Sequence, residues 1–174
     1  EYIKKKIPDF DLKEKSILEL GCTSGGILNY FRDQGAKRTV GLDPEPEFVE
    51  YGKKKLGLEI HKGFIENFKS KIKFDLIIMR HVVEHLLDPV KDIERAYELL
   101  KDDGLLFVET PSLYSMNMLG RWKENFLTEH PTIFSYKTLP YLLNKCGFNV
   151  ELSPMNGNRS HLRVLAKKKQ NIDI

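Results

Sequence analysis

The sequence predicts an α/β domain built on a mostly parallel sheet, and three observations lead to this prediction. Short apolar runs recur along the chain and are continuous, as expected of strands that are buried on both faces. Stretches with helical apolar spacing separate these runs, which is typical of right-handed βαβ units. The chain of 174 residues is long enough for one domain with one sizeable core.

The strand candidates differ in strength. The clearest are residues 17–20, 39–42, 74–79 and 104–108, and residues 58–61 form a weaker one. Near the end of the chain, residues 148–153 and 161–166 alternate in polarity around the turn signal Asn156-Gly157. This pattern predicts a closing antiparallel pair on an otherwise parallel sheet.

Helices are predicted between the strands, over residues 25–34, 46–56, from 89 onward and 138–145. The helix from Pro89 has the clearest boundaries, because Asp88 is a good N-cap and proline suits the first helical position. Gly104 follows the apolar stripe of this helix. Residues 111–134 are long for a connection, so we expect a lid or substrate insertion there, within a single domain over residues 1–174. The alternative is a surface element that buries its own aromatic side chains.

The amino-acid composition limits the classes of binding partner that we expect. A net charge of +3, from 28 basic and 25 acidic side chains, gives no reason to expect a nucleic-acid partner. Cys22 and Cys146 cannot form a disulfide framework, which favours a reducing, cytoplasmic location. No apolar run approaches the roughly 18–20 residues that span a bilayer. We therefore expect a small-molecule partner, no nucleic acid and no membrane, with a homodimer as the oligomeric alternative.

The strongest local signal is the predicted turn after the first strand, from Glu19 to Gly26. A glycine-containing turn lets a ligand approach the backbone, and Asp43 at the end of the second strand is suited to accept ribose hydroxyls. A dinucleotide site favours G-x-G-x-x-G, whereas the glycines here follow G-x-x-x-G-G with Thr23 in the middle. This difference favours S-adenosylmethionine, which has no phosphate.

These residues lie in stretches that resemble class I S-adenosylmethionine-dependent methyltransferases, in the order of that family and over roughly residues 16–165. The stretches are ILELGCTSGG, VGLDPEPEFVEYGKKK, FDLIIMRHVVEHLLDP, LLKDDGLLFVETP and FSYKTLPYLLNKCGF. The resemblance implies a Rossmann-like three-layer sandwich whose seven-stranded, mostly parallel sheet has an antiparallel last strand. It also implies S-adenosyl-L-methionine as cofactor, S-adenosyl-L-homocysteine as product and a small-molecule acceptor.

The resemblance further implies a set of cofactor-binding residues in four segments. They are Glu19, Gly21, Cys22, Thr23 and Gly25 in the glycine loop, Asp43 and Pro44 at the ribose, Phe64 and Ile65 at the adenine, and Met79, Arg80 and His81 near the sulfonium. The family commonly has glycine where Thr23 stands. We therefore expect a narrower turn and weaker or altered cofactor binding.

The segment from His81 to His85 also fits H-x-x-E-H, the motif of inverted zinc proteases. That chemistry needs both histidines on one face of a well-formed helix. The segment instead follows a buried strand and precedes a new helix at Pro89, so we assign no metal site. For methyl transfer, His85 is the first candidate for general base, followed by His81 and then His130. The alternative is that His85 only holds the loop together.

Two functions follow from the sequence, and a zinc hydrolase based on the motif from His81 to His85 is a third hypothesis. One is an enzyme that methylates an oxygen, nitrogen or carbon of a small metabolite, such as a sugar intermediate. The other is a methyltransferase-like module that binds a partner without catalysis.

Overall fold

The structure is a computed structural model that describes residues 10–114, 130–152 and 161–169. Seven strands are present in this part of the chain: β1 (Ser16–Leu20), β2 (Arg38–Asp43), β3 (Glu59–Lys62), β4 (Phe74–Arg80), β5 (Leu100–Pro111), β6 (Phe148–Leu152) and β7 (His161–Lys168). The α-helices are α1 (Gly26–Asp33), α2 (Pro46–Leu56), α3 (Pro89–Leu99) and α4 (Thr138–Lys145), and two 3₁₀ turns span Ile65–Asn67 and Val83–His85.

The strands form one seven-stranded sheet in the order β3-β2-β1-β4-β5-β7-β6. Strands β1 to β5 pair in parallel, whereas β7 is antiparallel to both β5 and β6. This topology confirms the expected Rossmann-like fold and its antiparallel last strand. The predicted turn at Asn156-Gly157 lies outside the described residues.

Successive side chains of β1 enter different cores because strand residues alternate between the two faces of a sheet. Leu18 packs in a cluster with Ile93 of α3 and Leu139 of α4. Ile17 packs on the opposite face in a cluster with Phe31 of α1. The sheet is therefore covered on both sides, which explains why its strands read as continuous apolar runs.

Helix α3 begins as predicted, with Oδ1 of Asp88 accepting a hydrogen bond from the Lys91 backbone N–H at 3.2 Å. The helix ends earlier than Gly104, because Leu100 is buried and pairs with Phe74 as the first residue of β5. A register shift between Phe74 and Leu76 then accommodates the intervening exposed residues of β5. The strand signal at 104–108 was thus correct but too short.

The long connection after β5 is described at its two ends. Ser112 and Phe134 form an isolated parallel bridge, and the Leu113 N–H donates to the Phe134 carbonyl at 2.8 Å. Residues 115–129, the middle of the predicted lid, lie outside the described residues. Among the described residues, no helix combines the length and apolar character needed to cross a bilayer.

Candidate cofactor and acceptor site

The carboxyl ends of three neighbouring parallel strands meet at one edge of the sheet. Leu20 at the end of β1 is in register with Leu42 of β2 and Met79 of β4. In open α/β sheets, ligands bind in the crevice outside the carboxyl ends of the strands. The bend after β1, Asp43 and the end of β4 are therefore brought together, as the sequence predicted.

The bend requires left-handed backbone at three positions: Gly21, Thr23 and Gly25 have φ values of 61°, 47° and 85°. A Cβ atom at Gly21 would lie 2.7 Å from Cγ2 of Val82, so glycine is needed there for space as well as for conformation. Thr23 occupies a position that glycine would adopt without strain. The methyltransferases that this chain resembles commonly have glycine at this position, which agrees with the left-handed backbone.

Asp43 faces the bend and ties it to the second strand. Its carboxylate is buried, with Oδ2 accepting a 2.7 Å hydrogen bond from the Thr23 N–H and Oδ1 accepting a 2.9 Å bond from the Glu45 N–H. Each carboxylate oxygen can accept a further bond. Asp43 thus shapes the loop and keeps acceptor capacity toward a ligand.

A cavity of about 340 Å³ lies against this edge, within the size range of small-ligand sites. The predicted cofactor residues that line it are Gly21, Thr23, Asp43, Pro44, Phe64, Ile65 and His81. The sequence analysis missed Phe48, Val82, Leu86 and Asp92, which also line it. Phe48 and Phe64 are large aromatic residues that the structure leaves exposed at the cavity, as expected of a ligand-binding wall.

Five predicted cofactor residues are absent from the cavity lining: Glu19, Cys22, Gly25, Met79 and Arg80. Cys22 points into the core, where a Cβ at Gly41 would lie 2.5 Å from its sulfur, and burial raises the pKa of its thiol to about 12. Met79 is fully buried in the core. Arg80 pairs with Glu109 at 3.4 Å.

Glu19 lies behind the bend and also does not line the cavity. It is only 3% exposed, and within the described residues its Oε2 has no hydrogen-bond partner. Burial raises its pKa from 4.5 to about 8; the nearby Arg80 charge opposes this shift and Asp43 adds to it. Glu19 therefore holds a proton near neutral pH.

Four of the five histidines form two pairs of neighbouring rings near the end of β4. His81 has a φ of 53°, and its ring lies 5.1 Å from that of His161. The rings of His85 and His130 lie 4.5 Å apart. His81 and His85 both line the cavity, so two of the three candidate general bases face it. The sequence analysis assigned no role to His161, which comes from a distant strand.

Glu84 lies between the two pairs and is almost fully buried. Its Oε2 accepts a 2.9 Å hydrogen bond from the Thr110 hydroxyl, and its Oε1 is 3.4 Å from Nδ1 of His81. Residues 83–85 form a 3₁₀ turn instead of a regular α-helix. His81 and His85 therefore lack the shared helix face that the inverted zinc-protease motif requires.

The seven-stranded sheet and the cavity at the ends of β1, β2 and β4 are typical of the class I S-adenosylmethionine-dependent methyltransferase fold. The chain belongs to the methyltransferase domain family, whose model matches residues 1–153.

Curated relatives with different functions are similar to this chain. One is a tRNA U34 carboxymethyltransferase from Aliarcobacter butzleri, 29% identical over 161 residues, which cover 83% of this chain and 51% of the relative. Another is a ubiquinone biosynthesis O-methyltransferase from Pelagibacter ubique, 32% identical over 107 residues, which cover 59% of this chain and 44% of the relative. The chain spans about half the length of these relatives.

The fold is also similar to solved structures. An S-adenosylmethionine-dependent methyltransferase from Clostridium acetobutylicum superposes with a TM-score of 0.79 at 14% identity, covering 97% of this chain and 89% of the other. At this identity the similarity concerns the fold.

The sequence-based expectation that this protein has no nucleic-acid partner was wrong. The relative from Aliarcobacter butzleri is named for a tRNA substrate, so similarity to this chain extends to enzymes that act on RNA. Net charge is a poor guide here, because it averages the whole surface whereas RNA binding depends on local patches.

Proposed function

We propose that this domain transfers the methyl group of S-adenosylmethionine to an oxygen, nitrogen or carbon of a small-molecule acceptor. The observation that carries the proposal is that the left-handed bend at Gly21 and Thr23 and the Asp43 carboxylate line one cavity. S-adenosylmethionine has an amino-acid end and a ribose, and these two features of the cavity suit one end each.

Each part of the cavity has a proposed role. Asp43 accepts hydrogen bonds from the ribose hydroxyls, and Phe64 and Ile65 flank the adenine. At Gly21 and Thr23 the backbone is accessible to the methionine part of S-adenosylmethionine. Glu19 supports the loop from behind. Asp43, Phe64, Ile65, Gly21 and Thr23 line the same cavity, and the chemistry of these residues suits the proposed roles.

The acceptor is proposed to approach from the histidine side of the cavity. S-adenosylmethionine held by Gly21, Thr23 and Asp43 would supply an electrophilic methyl group: an electron pair of the acceptor would form the new bond to the methyl carbon, and the electrons of the broken carbon–sulfur bond would stay on the sulfur of S-adenosylhomocysteine. Alignment of the reacting atoms provides most of the acceleration in such a displacement. The proton of the acceptor passes to an imidazole or to solvent.

His81 is the imidazole that we propose for this proton, ahead of His85. Its Nδ1 lies 3.4 Å from the buried Glu84 carboxylate, and its Nε2 is 3.9 Å from Glu109, beyond hydrogen-bond distance. The Glu84 carboxylate lies beside Nδ1 without a hydrogen bond to it, and Nε2 is left for the acceptor. His85 instead packs against His130.

The relatives named for ubiquinone biosynthesis support a small-molecule acceptor with a hydroxyl group. The two buried cysteines, which are free thiols, support a reducing cytoplasmic compartment.

Calorimetric titration with S-adenosylmethionine tests the cofactor, with NAD as the competing ligand. We expect S-adenosylmethionine to bind and NAD not to bind. Formation of S-adenosylhomocysteine is then measured separately with a small-molecule cell extract and with a tRNA fraction. Turnover with tRNA alone would contradict the proposed acceptor class. Cofactor binding without turnover in either fraction would favour a non-catalytic module.

His81→Asn tests the proton acceptor. We expect turnover to fall at least about 100-fold, the lower range for losing a general base, with cofactor affinity retained. His61→Gln is the matched control, because His61 lies on edge strand β3 and pairs with Glu59. Equal turnover in the His81 variant and the wild type would remove His81 from the mechanism.

A further inference from the structure

We propose that Glu84, His85 and His130 bind one divalent transition-metal ion of the zinc type beside the cofactor cavity. One ligand atom from each of these three side chains lies within 4.8 Å of the other two. His85 belongs to the 3₁₀ turn after β4, whereas His130 comes from the far end of the long connection. The fold therefore brings distant parts of the chain to one point.

Contacts outside the cluster hold the Glu84 side chain and the backbone at Glu84 and His85. The Thr110 hydroxyl donates to Oε2 of Glu84 at 2.9 Å, and the Thr132 N–H donates to the Glu84 carbonyl at 3.4 Å. The His85 N–H donates to the Val82 carbonyl at 2.9 Å. Metal sites depend on such outer contacts, because these orient the ligands before the ion arrives.

The burial of Glu84 calls for a compensating positive charge. The residue is 2% exposed, and within the described residues its buried Oε1 accepts no hydrogen bond. A buried carboxylate is costly unless it is paired or coordinates a metal. His81 Nδ1 at 3.4 Å approaches this oxygen from one side but does not form a hydrogen bond with it. A divalent ion would neutralise the carboxylate directly.

The donor set selects the class of metal. Two imidazole nitrogens and one carboxylate oxygen suit zinc and similar borderline ions, whereas magnesium prefers oxygen ligands. In a tetrahedral site with zinc bonds of about 2.1 Å, the ligand atoms lie about 3.4 Å apart. The three ligand atoms here lie within 4.8 Å of one another, so side-chain rotations that bring them closer together would complete the site.

The position of the site suggests what the ion does. His85 lines both the 340 Å³ cavity and a neighbouring cavity of about 610 Å³. A three-ligand zinc site keeps its fourth position open for a water or substrate oxygen. The ion would hold an acceptor oxygen there and lower the pKa of its hydroxyl. This role rests on the proposed methyl transfer, whereas metal binding itself does not.

The test is calorimetric titration of chelator-treated protein with zinc chloride. We expect one ion per chain, and we expect His130→Ala and Glu84→Gln each to weaken binding at least about tenfold. His61→Gln removes an imidazole elsewhere and should bind zinc like the wild type. Glu84 is buried, so Glu84→Gln can also affect folding. A second measurement therefore uses cobalt in place of zinc: we expect its absorption bands in the wild type and their loss in His130→Ala.

No zinc binding by the wild type would overturn the proposal, as would equal weakening in the His61 control. Magnesium binding as tightly as zinc would also overturn it, because that result requires an oxygen-ligand site. A parallel titration of the same wild-type protein with S-adenosylmethionine separates the two proposals. Zinc binding without cofactor binding would leave the metal site standing and reject the proposed function.

Discussion

The backbone N–H of Thr23 donates a 2.7 Å hydrogen bond to Oδ2 of Asp43, and this bond joins the bend after β1 to the end of β2. The same carboxylate accepts from the Glu45 N–H at 2.9 Å. One side chain therefore sets the shape of the loop and presents charge to the cavity. Four predictions concern this bend and the side chains packed behind it.

Asp43→Asn should weaken S-adenosylmethionine binding by about 2–3 kcal/mol, because hydrogen bonds to a charged group are among the stronger ones. The amide would also place an N–H group opposite the Thr23 or Glu45 donor. Calorimetric titration measures the effect. Glu50→Gln is the control, since this exposed residue on α2 pairs only with Lys54 among the described residues. A folded Asp43 variant with unchanged affinity would show that this carboxylate does not bind the ribose.

Thr23→Gly should raise the free energy of unfolding by about 1 kcal/mol. A β-branched residue at a φ of 47° is strained by roughly 1–3 kcal/mol, and the greater chain entropy of glycine offsets part of the gain. The neighbouring Ser24→Gly is the control, because Ser24 is not among the positive-φ residues and should lose stability. Urea unfolding of both variants checks the signs. A Thr23 variant less stable than the wild type would mean that the side chain compensates for its own strain.

Two glycine-to-alanine substitutions in helices should change the free energy of unfolding in opposite directions. At Gly52 of α2, an added Cβ would lie 2.3 Å from Cδ1 of Ile60 and 2.8 Å from the Ser24 carbonyl oxygen, so we expect a loss of about 1–3 kcal/mol. At Gly26 of α1 no atom lies within 4 Å of the added Cβ, and alanine should gain up to about 1 kcal/mol. Thermal unfolding distinguishes them. Equal effects would mean that α2 can move away from the bend.

The stability of the cofactor-free protein should fall as pH rises from about 4.5 to about 8, because burial raises the pKa of Glu19 across this interval. The folded state then holds a proton that the unfolded state has released, and losing it leaves a charge in the core. Glu19→Gln cannot ionise and should flatten this dependence. Glu66→Gln, a change on an exposed carboxyl, should keep it. Parallel pH profiles for the wild type and Glu19→Gln would contradict the buried-proton explanation.

The sequence predicted the fold well where local signals agreed with burial. Proline at the start of α2 and α3 and glycine after α2 correspond to the observed helix boundaries. The parallel core was recognisable because strands covered on both faces carry continuous apolar runs. The early end of α3 was missed, because it depends on the pairing of Leu100 with Phe74, which is distant in sequence.

The site was predictable only in part. The bend and Asp43 follow one another along the chain, so their meeting could be inferred from parallel strands alone. The pairing of His85 with His130 and of His81 with His161 depends on how residues after β5 return to the sheet. No local pattern encodes that return. The family resemblance assigned Cys22 and Met79 to the cofactor, although both side chains are buried in the core.

The bridge between Ser112 and Phe134 has a consequence for how the connection after β5 can vary in length. It clamps together the two ends of the chain segment that begins after β5, directly beside Glu84 and the histidines. The entropy of closing a loop grows only slowly with its length. Segments of other lengths and compositions can therefore be exchanged between these anchor points while the cofactor edge stays intact. We expect chimeras joined at Ser112 and Phe134 to keep the cofactor edge, whereas the proposed metal ligand His130 would be exchanged together with the segment.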